Sequence, residues 1–93
     1  MTTIWKYPVP ISETFTLSIP EGAIFVAFQL QGNELGVPPD PYLWVEVNSE
    51  APKREFRFFI VGTGHEIPST AKHHLGTIQA GPFVWHLYCA EFL

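Results

Sequence analysis

The sequence has a single cysteine, Cys89, and only five Lys and Arg residues in 93 positions. One cysteine excludes an intrachain disulfide and a thiolate zinc cluster, and it fits a reducing compartment such as the cytosol. With so few cations and a formal net charge of −4, the chain is poorly suited to binding by neutralising nucleic-acid phosphates. Charge of either sign is sparse, 15% of residues against roughly 25% in ordinary soluble domains. No apolar run approaches the roughly 20 residues that span a bilayer. The opening "MTTIWKYPVP" also lacks the apolar stretch of about 7 to 15 residues of a signal peptide, so neither membrane insertion nor export is expected. No segment sustains a 3.6-residue apolar period, which argues against a helical fold.

Apolar and aromatic surface is plentiful: 46% of residues are hydrophobic, including three Trp, three Tyr and eight Phe. A chain this short forms one domain, residues 1–93, and hides only part of what it carries. An exposed aromatic patch or a subunit interface is expected.

The pattern is that of strands. In "ETFTLSIP", Phe15, Leu17 and Ile19 alternate with Thr14, Thr16 and Ser18, as in a sheet with one face on the core and one on water. "AIFVAFQLQ" (23–31) places Ile24, Val26, Phe28 and Leu30 on one face and Ala23, Phe25 and Ala27 on the other, predicting a central strand buried on both sides. "GNELGVPPDP" (32–41) holds two Gly and three Pro and reads as a long loop. "YLWVEVN" and "REFRFFIVG" flank the turn "SEAPK" and read as a hairpin. "TIWKYPV" is a first strand ended by Pro8 and Pro10, "LGTIQAG" a short edge, and "PFVWHLYCAEF" (82–92) a closing strand with Phe83, Trp85, Leu87 and Cys89 on one face. "STAKHH" offers one possible helical turn, capped by Ser69 or Thr70. The prediction is an all-β fold, a single small sandwich or open barrel of six to seven mainly antiparallel strands.

Candidate chemistry concentrates in "GTGHEIP". Gly62, Thr63, Gly64 and His65 lack the Lys-Ser/Thr of a Walker loop and the third glycine of a dinucleotide fingerprint. They read first as a glycine turn with φ > 0, and second as a binding loop presenting Thr63, His65, Glu66 and free amides. "HEIPS" is not a zincin sequence, because position 69 is Ser and Pro68 interrupts a helix. His65, Glu66, His73 and His74 are poor metal ligands together, since His73 and His74 point to opposite faces of an extended chain. The same argument separates His86 from Cys89, which reads as a small buried hydrophobe. The ligand-binding candidates are Gly62, Thr63, Gly64, His65, Glu66, Arg57, Trp44, Trp85 and His86, with Trp5 and Lys6 as further aromatic and cationic contacts; no catalytic residue, metal or cofactor is expected.

With these residues placed, the chain resembles a group of small β-rich proteins of unknown function encoded by tailed bacteriophages. The matching pieces are "IWKYP" (4–8), "PEGA" (20–23), "LWVEV" (43–47), "EAPKREFRFFIVGTGHEIP" (50–68) and "FVWH" (83–86). The departure is "GNELGVPPDPY", longer than the hairpin connection of that group. The resemblance implies a phage protein acting in the host bacterial cytoplasm. The expected function is a non-enzymatic accessory binding protein that engages a host protein or sequesters a small ligand such as a nucleotide, blunting a host defence. The alternatives are a homo-oligomeric structural or assembly subunit of a phage particle, and a small hydrolase or nucleotide-processing enzyme centred on His65 and Glu66.

Overall fold

The structure, a computed structural model, describes residues 1–32 and 34–93. Asn33, within the expected 32–41 loop, lies outside the described residues. Seven strands follow in order: β1 Thr2–Pro8, β2 Thr14–Pro20, β3 Ile24–Gln31, β4 Asp40–Asn48, β5 Lys53–Gly62, β6 His73–Ala80 and β7 Phe83–Cys89. They form a three-stranded sheet, β1-β4-β3, and a four-stranded sheet, β2-β5-β7-β6. Every pairing is antiparallel, and the sheets do not close into a barrel, so the fold is the sandwich form of the expected all-β architecture.

The core lies between the sheets. Leu43, Val45 and Val47 of β4 are buried together with Phe56, Phe58 and Ile60 of β5 and Leu87 and Cys89 of β7. Each set is every second residue of its strand, so period-2 alternation alone directs it inward. Burial pushes the Cys89 thiol above its ordinary range, as expected of a group whose charged form is desolvated. Phe15 lies parallel to Phe58 at 5.4 Å, joining β2 to the same layer.

Three sequence expectations change. β4 and β5 are not a hairpin: β4 pairs with β1 and β3, β5 with β2 and β7. Both strands have one wholly apolar face, and setting them in opposite sheets buries both faces against each other. β3 is an edge strand rather than a central one. The register slips between Phe25 and Ala27, and this bulge turns the apolar phase, so that Phe28 is buried while Ile24 and Val26 are exposed. The "STAKHH" turn is not helical either. The Ala71 amide bonds to the Pro68 carbonyl at 3.0 Å, and the chain is already in β6 at His73.

Candidate functional site

Because β7 lies between β5 and β6, the segment 63–72 must travel past β7 to reach the far edge, roughly two strand spacings, or about 10 Å. It does so over the outer face. Phe59 and Val61 point outward by alternation from Phe58 and Ile60, yet they are buried, as is Ala71 of the segment itself. Val61 borders concavities that it shares with His65, Glu66, Ile67 and Pro68. The 63–72 segment is therefore a strap laid on the four-stranded sheet.

The strap begins with a tight turn. The His65 amide bonds to the Gly62 carbonyl at 3.0 Å, and Gly64 has φ +86°, the left-handed value required at the third position of a type II turn. One glycine of the pair thus has positive φ. Gly62 has an ordinary φ, but a Cβ there would press on His65 Nδ1 at 3.0 Å. The His65 ring therefore lies back against Gly62, on the Trp85 side.

Thr63, between the glycines, reaches the other way. Its Oγ1 is 2.9 Å from His86 Nε2, His86 Nδ1 is 2.8 Å from Thr77 Oγ1, and Thr77 Oγ1 is 3.1 Å from His74 Nε2. Four side chains from the strap, β7 and β6 thus form one unbroken chain. A neutral imidazole donates from one nitrogen and accepts at the other, and a hydroxyl does both. The chain is satisfied either with Thr63 donating to His86, His86 to Thr77 and Thr77 to His74, or with every bond reversed. The His74 and Tyr88 rings lie 5.1 Å apart and extend the array with an aromatic surface.

His74 and Thr77 share this face because of an irregularity. Residues three apart on a regular strand point to opposite sides, but the β6 register shifts between His74 and Gly76. The extra residue, Leu75, restores the phase, so His74 lies opposite Tyr88 and Thr77 opposite His86.

The other expected site residues separate. His65 borders three shallow concavities of about 190, 220 and 290 Å³; Glu66 joins the largest of these and Trp85 the middle one. Trp85 also stacks on Phe83 at 5.5 Å. Arg57 lies on the outer face of the four-stranded sheet, but its guanidinium donates to Thr14 Oγ1 at 2.9 Å, toward the β2 edge and away from His86. Trp44 cannot join the Gly62–Glu66 loop, because it belongs to β4 in the other sheet, beside Lys6 in the register. Lys6 is engaged there with the Gln31 carbonyl oxygen at 2.7 Å and the Tyr42 ring at 4.4 Å. Trp5, in that same sheet, packs against the core beneath the Lys53 ammonium, 5.5 Å from its ring. His73 sets its ring edge-on to Phe92 at 5.4 Å while His74 turns to Tyr88, so the adjacent histidines diverge. Among the described residues no three His, Cys, Asp or Glu side chains converge as a metal site would require.

A hydroxyl at 2.9 Å from an imidazole is the contact that nucleophilic catalysis uses. Here the far nitrogen of His86 meets a neutral threonine instead of a carboxylate, so the pair lacks the anion that would stabilise an imidazolium. The arrangement is better suited to holding a polar group than to moving a proton.

Fold and site together describe a two-sheet β protein with a strapped, hydrogen-bonding outer face. The chain belongs to a family described as a domain of unknown function, DUF7352, whose family model matches residues 1–92. No curated protein and no solved structure matches it.

Proposed function

We propose that this chain is a non-enzymatic accessory binding protein of a tailed bacteriophage that captures a small ligand in the host bacterial cytoplasm, to the detriment of a host defence. The observation that carries the binding reading is the continuous Thr63–His86–Thr77–His74 chain on the outer face of a sheet. Groups fixed on strands and already hydrogen-bonded to each other need little reordering on binding, which preserves affinity. The capacity the chain leaves unused, a further lone pair on the threonine hydroxyls and the second ring nitrogen of His74, lies beside the Tyr88 ring and suits the edge and face of a planar polar group such as a nucleotide base. The phage assignment rests on the resemblance carried by "IWKYP" and "GTGHEIP".

Calorimetric titration of the purified protein with a nucleotide panel, and with the small-molecule fraction of infected bacteria, tests this reading. Binding is expected, lost in Thr77→Val and His86→Phe and retained in Trp44→Ala. Absence of binding in both titrations, or equal binding by all variants, would overturn it.

A second reading, an oligomerising structural or assembly subunit, is favoured by the uncovered apolar face of β1-β4-β3. Presence of the chain in purified virions at stoichiometric level would support it in place of the first.

A further inference from the structure

Among the described residues no strap covers the outer face of β1-β4-β3. Ile4, Ile24 and Val26 are 55%, 54% and 47% exposed, and the register lays the face out in rows, Ile4–Glu46–Ile24 and then Lys6–Trp44–Ala27. Glu46 thus stands between two exposed isoleucines. The ion pairs among the described residues are Met1–Glu50 and Arg54–Glu91, so neither Glu46 nor Lys6 meets an opposite charge within the chain. The Lys6 ammonium is held by a neutral amide and an aromatic ring instead.

We infer that this face docks on a second copy of the chain, sheet against sheet, about a twofold axis that runs across the strands. One positive and one negative residue, each unpaired and in adjacent rows, make the face complementary to itself, as an isologous contact requires. The charges also select the axis. A twofold parallel to the strands keeps each row opposite its own copy and sets Glu46 against Glu46, desolvating two carboxylates together. A twofold across the strands exchanges the rows. Glu46 then lies over Trp44 of the second copy and diagonal to its Lys6, while Ile4 covers the Lys6 stem.

Three strands of about seven residues offer a footprint of roughly 14 by 23 Å, on the order of 650 Å² over both copies and below the size of stable specific interfaces. The dimer is therefore weak and concentration-dependent. This inference is independent of ligand capture, because the two faces lie on opposite sides of the sandwich.

Sedimentation equilibrium over a wide concentration range, with Lys6→Glu, Glu46→Lys and the double exchange, tests it. Wild type is expected to move from the mass of one chain to that of two as concentration rises. Each single exchange is expected to weaken association at least about tenfold, and the double exchange to restore most of it. A one-chain mass for wild type at every concentration would overturn the inference. So would single exchanges that associate like wild type, or a double exchange no stronger than the singles.

Discussion

On one side of the sandwich Ile4, Ile24 and Val26 stand about half exposed, while on the other Phe59 and Val61, equally outward by alternation, are buried. What separates them is the connection nearby. β3 and β4 are joined in a hairpin within their own sheet, so no strand lies between them for their connection to pass. The link from β5 must pass β7 to reach β6, and in doing so the strap runs over the face on which Phe59 and Val61 are buried and delivers Thr63 to His86. Strand order thus decides which outward positions become a second small core and which remain an open surface.

Breaking that comparison most forcefully means truncating matched residues on the two faces. Phe59→Ala is expected to cost about 3–5 kcal/mol, as for a core aromatic, whereas Ile24→Ala should stay within about 0.5 kcal/mol; urea unfolding of both variants provides the measurement. Equal losses would show that the strap does not bury Phe59.

A smaller effect separates the two turns. Gly64 and Gly36 have φ of +86° and +82°, so alanine at either is expected to cost about 1–2 kcal/mol through the same backbone strain. Only Gly64→Ala should also displace Thr63 and change the His86 imidazole signals in nitrogen-15 NMR. If Gly36→Ala disturbed those signals as much, the turn and the histidine chain would not be specifically linked.

Smaller still is Thr77→Val, which removes the central hydroxyl of the chain. Its partners remain open to water, so the stability loss should be no more than about 1 kcal/mol. The tautomer signals of both His74 and His86 should nevertheless shift, and a change confined to one ring would contradict a single continuous chain.

The least effect is expected where β5 begins, at the end away from the strap. Arg54 hydrogen-bonds Glu91 through both carboxylate oxygens and holds that carboxyl below its ordinary range. A carboxyl depressed in the folded state stabilises at neutral pH and loses that contribution as pH falls through its folded value. Glu91→Gln should therefore narrow the gap in melting temperature between neutral and acid pH slightly, the pair being exposed and screened. An unchanged gap would remove the pair from the stability account.

Much of the fold was legible from alternation alone. Phe15, Leu17 and Ile19, or Leu43, Val45 and Val47, announce their inner faces because each occupies every second position of an uninterrupted strand. Two bulges broke that reading. At Val26 the bulge turned the apolar phase of β3, leaving Ile24 and Val26 exposed, and at Leu75 it brought His74 and Thr77 onto one face. Bulges are set by the partner strand, which no local pattern records. The assignment of β4 and β5 to different sheets was hidden for a related reason, since adjacent strands with a turn between them usually pair. Within the site, Thr63 and His86 were among the candidates, while Thr77, His74 and Tyr88 were not grouped with them. The shared face of His86 and Tyr88, two residues apart, was the one available signal. Trp44 and Lys6 were drawn toward the glycine turn by residue type and belong to the opposite face.

The most direct test of the proposed ligand-capturing face is chemical-shift mapping of the isotopically labelled protein during titration with the nucleotide panel and the small-molecule fraction of infected bacteria. The account predicts changes concentrated at Thr63, His74, Thr77, His86 and Tyr88, with Ile4, Ile24, Val26 and Trp44 unmoved. Changes confined to that second group, or none on either face, would contradict it.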